Sequence, residues 1–193
     1  MRTHGPWKIL RNIPIYRDPW IEVSKDEVIR PDGKPGTHAV VTIKSGVCVL
    51  PIHVDGTVYL TQEFHYGVGR STLEAVSGGM EPGEDPLLTA RRELREELGI
   101  EAEHWEDLGV VDPFTAVGTS PTRLFLARHL SFVAANPEGT ERIQSISMTL
   151  TEAADAVLNS QITHAPSSVL ILKAAHRLLA LPGSRDSRPR EPS

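Results

Sequence analysis

The stretch GGMEPGEDPLLTARRELREELGI, residues 78–100, leaves its part of the chain little choice of fold. It opens as a glycine- and proline-rich loop. It then continues as a run that reads as helix. Asp85 is a good N-cap, and Pro86 suits the first helical position, where an N–H would have no partner anyway. Leu87, Leu94 and Leu98 recur at helical spacing, and Gly99 is a natural stop just past the last turn. At about 100° per residue, Glu93, Glu96 and Glu97 fall within roughly one third of the circumference, beside the leucine face. One side of the helix can dock onto a core while the other presents three carboxylates.

Such a face has two readings. Like charges at i,i+4 cost an exposed helix only about 0.2–0.5 kcal/mol, so a solvated acidic face is one of them. A bound divalent cation, which turns the repulsion into attraction, is the other, and carboxylate oxygens suit Mg²⁺ or Mn²⁺. The loop bears on the choice. Gly78, Glu84, Arg92-Glu93-Leu94, Glu96-Glu97 and Gly99-Ile100 together resemble a complete Nudix box. That box is the signature of hydrolases that cleave nucleoside diphosphates linked to another moiety.

The chain of 193 residues is long enough for one substantial domain and a small appendage. Its 39% hydrophobic and 23% charged residues read as globular. A net charge of −5 argues against a basic nucleic-acid surface, though not against a nucleotide substrate whose charge a metal neutralises. No apolar run approaches the ~18 residues of a membrane span, and MRTHGPWKIL lacks the apolar core of a signal peptide. Cys48, the single cysteine, sits in an apolar strand-like run and is expected to be a buried structural thiol. These features favour a cytoplasmic enzyme with no nucleic-acid or membrane partner.

Short strands are expected over 7–10, 13–16, 20–29 and 38–43, punctuated by Pro14, Pro19 and the turn Pro31-Asp32-Gly33. Further strands are expected over 47–50 and 58–60, joined at Asp55-Gly56, and then over 72–77, 108–111, 123–130 and 143–150. Helices are expected over 151–160 and 168–181, the last capped by Ser167 or Ser168 and stopped at Pro182-Gly183. The pattern predicts an α+β fold with helices on a mixed β-sheet. It divides into a small antiparallel β-domain over 1–45, a main domain over 46–181 and a disordered tail over 182–193.

The order of elements is similar to the ADP-ribose pyrophosphatase branch of the Nudix hydrolases, in which a small N-terminal β-domain helps form a dimer. Trp7, the run Tyr16-Arg17-Asp18-Pro19-Trp20-Ile21, Gly46–Pro51, Thr72-Leu73-Glu74 and the ending Ile162-Thr163-His164-Ala165 carry the likeness. Three places depart from it. Glu63-Phe64-His65 stands where relatives commonly have Gln-Phe/Tyr-Arg. Val76-Ser77-Gly78 replaces the usual Pro-Ala-Gly. Ala116-Val117, between Pro113 and Pro121, stands where a proline is common. These changes touch substrate choice more than metal-dependent hydrolysis.

The resemblance implies roles position by position. Glu93 and Glu97, with Glu96 beside them, are implied metal ligands, together with the backbone carbonyl of Ser77. Arg92 is expected to orient a box glutamate, and Glu84 is either a supporting carboxylate or a structural partner. In the loop AANPEGTER, residues 134–142, Glu141 is the implied extra metal ligand or general base, with Glu138 the alternate. Trp20 is a candidate to stack on a base across a dimer interface, and His65 and Arg70 to meet phosphates. The implied activity is Mg²⁺-dependent, with Mn²⁺ possible in its place, on a nucleoside diphosphate sugar. ADP-ribose, giving AMP and ribose 5-phosphate, leads; another nucleotide sugar, a dinucleoside polyphosphate, or nucleotide binding without cleavage are the alternatives. The implied assembly is a homodimer.

Overall fold

The computed structural model of the chain describes residues 1–136 and 142–179. The expected tail over 182–193 and the loop glutamates Glu138 and Glu141 lie outside the described residues. In chain order the elements are β1 (Arg2–His4), β2 (Trp7–Arg17), β3 (Ile21–Ile29), β4 (Pro35–Ile43), β5 (Gly46–Pro51), β6 (Thr57–His65), β7 (Arg70–Glu74), β8 (Val76–Gly79), α1 (Pro86–Leu98), β9 (Ile100–Val111), β10 (Gly118–Thr119), β11 (Thr122–Phe132), β12 (Gln144–Thr149), α2 (Leu150–Leu158) and α3 (Ala165–Leu179). This is the α+β arrangement expected.

The strands form three sheets. β1 to β4 make an antiparallel sheet, and β10 extends it parallel to β4. β5 and β11 run parallel at the centre of a second sheet, with β8 and β9 as antiparallel edges. β6 pairs with β7 on one side and β12 on the other. Alternation along β5 and β11 splits the core in two. Cys48, Leu50, Leu124 and Leu126 pack with Ala153 of α2 and Leu170 of α3. Val47, Val49, Phe125 and Ala127 pack with Ala90 and Leu94 of α1. Covered on both faces, these strands read as continuous apolar runs.

Several expectations change. The strands expected over 7–10 and 13–16 are one, β2. Its neighbour β1 pairs only with Trp7, Lys8 and Ile9, so Pro14 lies beyond that pairing, and an open edge tolerates a missing N–H. The strand expected over 72–77 divides at Ala75, where the chain passes from the β6–β7 sheet to the β5–β8 sheet. The Ala75 N–H donates to Ser167 Oγ at 2.9 Å. The strand expected over 108–111 is only the end of β9, which begins at Ile100 because β11 pairs with it back to Phe132. Ile100, Ala102 and Trp105 pack toward α1, while exposed Glu101, Glu103 and His104 conceal the pattern.

The helix starts also move. α2 takes Leu150 from the expected strand, because Thr149 and Glu152 form a reciprocal capping box. α3 begins at Ala165, ahead of the expected serine cap. Pro166 fits its first turn, and the Ser168 N–H already bonds the His164 carbonyl at 2.9 Å. Ser167 is fully buried on the Ala75 amide instead of capping the helix. Among the described residues no helix is long and apolar enough to cross a membrane.

Candidate active site on the acidic helix

The loop and α1 fold as their residues require. Asp85 Oδ1 accepts the N–H of Leu87 at 2.9 Å and of Leu88 at 3.2 Å. Gly99 ends the helix at φ 61°, its N–H donating to the Arg95 carbonyl at 3.0 Å. A side chain there would also run into the backbone of Val133 and Ala135. Leu94 and Ala90 are fully buried, and with partly buried Leu87 and Leu98 they dock on Val47, Val49 and Val76. That docking brings Glu93 against β8.

The contact between Glu93 and β8 demands glycine. A Cβ at Gly78 would overlap the Glu93 carboxylate. Without one, the carboxylate rests on the backbone next to Ser77. Arg92 braces it: Nη1 lies 2.8 Å from Glu93 Oε1 and 3.2 Å from Glu96 Oε2, and Nε reaches Glu84 Oε1 at 3.5 Å. Burial works against the guanidinium charge, yet Glu93 and the bonds to Glu84 and Glu96 raise its pKa above the ordinary value. Glu84 is pinned by the Glu81 N–H at 3.0 Å, which holds its carboxyl below the usual range. Glu84 is thus the anchor of Arg92.

The charge of Glu97 adds to the rise in the pKa of Cys48 on β5, whose cross-strand partner on β8 is Ser77. The Cys48 thiol itself is pushed up to about 12, chiefly by burial. It is the inert structural thiol expected. Among the described residues no three His, Cys, Asp or Glu side chains already converge as a metal set. Arg92 engages the oxygens of Glu93 and Glu96. The donors on offer are nonetheless all hard oxygens, three carboxylates and a backbone carbonyl, which fit Mg²⁺ or Mn²⁺.

Beside Ser77, Gly78 and Gly79 opens a cleft of about 940 Å³. His65 and Arg70, both expected to meet substrate, line it. Arg70 Nη2 donates to Thr163 Oγ1 at 2.8 Å. Trp20 is 62% exposed and is linked to the cleft through Lys44, whose Nζ lies 5.1 Å from the centre of its ring. The segment around Ala116-Val117 splits in two. Pro113 and Phe114 line the cleft, while Ala116 and Val117 line a separate hollow beside Trp7 and His38.

Sequence reasoning missed Lys44, Glu74 and His164 as cleft residues. Lys44 lines the cleft and reaches Glu81 at 2.7 Å. Glu74 lies 3.0 Å from His164 Nδ1 and 3.3 Å from His65 Nε2, and accepts the Thr72 hydroxyl at 2.6 Å. Burial alone would raise its pKa, but His164, Thr72 and His65 bring it below the usual carboxylate range. Thr72-Leu73-Glu74 and the His164 run both belong to the family likeness, yet no spacing rule joins them.

Comparison with known proteins agrees with this geometry. A model described as NUDIX domain matches residues 42–166, and one described as nucleoside diphosphate sugar hydrolase N-terminal domain matches residues 7–41. The chain is 30% identical over 169 residues to an ADP-ribose pyrophosphatase of Mycobacterium tuberculosis, covering 84% of this chain and 81% of that protein. It is 27% identical over 157 residues to a methanol dehydrogenase activator of Bacillus methanolicus, covering 80% and 85%. The crystal structure of an ADP compounds hydrolase shares the fold at a TM-score of 0.79, with 18% identity over 93% of this chain and 98% of that one. With the loop, the braced carboxylates and both family matches in place, the chain belongs to the Nudix hydrolases, as a diphosphatase of the branch that carries the nucleoside diphosphate sugar hydrolase N-terminal domain.

Proposed function

We propose that the protein hydrolyses the diphosphate linkage of a nucleoside diphosphate sugar, with ADP-ribose, giving AMP and ribose 5-phosphate, as the leading substrate. The observation that carries this reading is the Glu93 carboxylate resting on Gly78 and braced by Arg92, at the edge of a cleft of about 940 Å³. That size lies within the roughly 300–1,000 Å³ of small-ligand clefts. Similarity to an ADP-ribose pyrophosphatase supports the choice of substrate.

Glu93, Glu96 and Glu97, with the Ser77 carbonyl, would hold Mg²⁺, or Mn²⁺ in its place. That cation would supply positive charge against the diphosphate and lower the pKa of the nucleophilic water. Arg92 keeps Glu93 and Glu96 aimed together. Lys44 and Arg70 offer positive charge to the phosphates. Glu141, with Glu138 as the alternate, completes the site as ligand or general base. Residues 1–45 serve as the dimerisation domain and 46–181 as the hydrolase domain. Leu10, Ile15 and Tyr16, all exposed on β2, supply apolar surface for a homodimer, and exposed Trp20 offers a face for a nucleobase.

The test is purified protein with Mg²⁺ and a panel of ADP-ribose, other nucleotide sugars and dinucleoside polyphosphates, read as phosphomonoester release. AMP from ADP-ribose at the highest kcat/KM is the expected result. Turnover of dinucleoside polyphosphates alone, or binding without turnover, would overturn it.

A further inference from the structure

Glu74 organises a group of side chains that the diphosphate chemistry leaves unused. Its side chain is only 12% exposed, and its two oxygens are divided between two rings. Oε2 faces His164 Nδ1 at 3.0 Å, just ahead of α3. Oε1 faces His65 Nε2 at 3.3 Å, at the end of β6. An ionised carboxylate only accepts hydrogen bonds, so each ring turns an N–H toward it. The nitrogens left over are Nδ1 of His65 and Nε2 of His164, and each is an acceptor while its ring is neutral. Ser167 Oγ, fully buried and 2.8 Å from the same Nδ1, fixes that edge of the ring and leaves Nε2 of His164 uninvolved.

Both rings line the cleft that Ser77, Gly78 and Gly79 also line. While neutral, they present acceptors backed by a nearly buried negative charge. Toward these two nitrogens a phosphate oxygen, itself an acceptor and anionic, finds no donor, and Nη2 of the neighbouring Arg70 is already engaged with Thr163. A hydroxyl does. We propose that His65 and His164, oriented by the shared Glu74 carboxylate, form a subsite that accepts hydrogen bonds from hydroxyls of the sugar joined to the diphosphate. The inference rests on the nucleotide-sugar reading and adds the groups that recognise the sugar. Glu74 is a positioning residue, and Lys44 and Arg70, which line the same cleft, are left for the phosphates.

The test uses steady-state kinetics of the full chain with Mg²⁺ on two substrates. One is the nucleotide sugar cleaved best in the panel; the other is the cyclopentylmethyl ester of the same nucleoside diphosphate, which lacks the sugar hydroxyls. His65→Leu and His164→Leu are each expected to raise KM for the sugar substrate about tenfold, the scale of one lost hydrogen bond. The preference for sugar over alkyl ester falls by the same factor. His65 is 42% exposed, so His65→Leu keeps the fold, which a thermal melt checks. Variants that slow both substrates equally, or that leave the preference intact, overturn the subsite while the nucleotide-sugar reading stands. If the wild-type protein cleaves no nucleotide sugar, that reading falls and the subsite falls with it.

Discussion

β5 and β2 belong to one chain and are buried to opposite degrees. Val49 and Leu50 of β5 are 0% exposed, whereas on β2 Leu10 is 47%, Tyr16 53% and Ile15 60% exposed. The difference lies in what covers each strand. α1 covers one face of the central sheet, and α2 and α3 cover the other. Among the described residues, neither of those core clusters includes Ile9 or Val28, the buried apolar residues of the N-terminal sheet. The hydrolase half therefore carries its own core, while the N-terminal half turns apolar side chains outward. The outward apolar side chains of β2 are the surface on which the proposed homodimer depends.

The contrast can be broken at three levels. The largest effect belongs to the box helix. Glu97→Gln is expected to lower kcat about 10²–10³-fold, the scale of losing one preorganised charge, with a melting temperature close to that of the parent. Assay of phosphomonoester release beside a thermal melt decides it, and near-full turnover would remove α1 from the centre of the chemistry. Next comes the core. Leu94→Ala deletes a fully buried side chain between α1 and the central sheet and should cost about 2–5 kcal/mol of stability in urea unfolding. A cost below that of a surface change would show that α1 is not anchored as described.

The smallest effect on stability is expected on β2. Leu10→Glu with Ile15→Glu should change unfolding by only about 0.5 kcal/mol for each exposed position. If the proposed homodimer forms through β2, light scattering should show a dimer for the parent and a monomer for this pair. A dimer that persists would place the association surface elsewhere and leave the exposed face of β2 without a role.

Legibility in the sequence followed the range of the interactions involved. Asp85, Pro86 and Gly99 were readable as cap, first turn and stop because each acts on backbone groups within a turn of itself. Pro14 misled for the same reason: locally it breaks a strand, and only the short reach of β1 makes it harmless. The start of β9 was hidden by charged residues on its exposed face. The Thr149–Glu152 capping box was present as a pattern, and reading it would have placed Leu150 in the helix. At the site, the box glutamates, Arg92, Ser77, His65 and Arg70 could be named in advance, whereas Lys44, Glu74 and His164 could not.

The amino-acid order by itself determined the acidic helix and its two ends, because these depend on spacing along one helix and the loop that feeds it; the need for glycine at residue 78 came only with the docking of Glu93 on β8. Tertiary structure alone decided that the Ala75 amide leaves its strand for Ser167, and that Glu74 meets His65 and His164 beside the same cleft. The physical reason is that a mostly buried carboxylate takes its partners from whatever packing brings within about 3 Å. Here those partners come from the end of β6 and the start of α3. No local periodicity records that meeting.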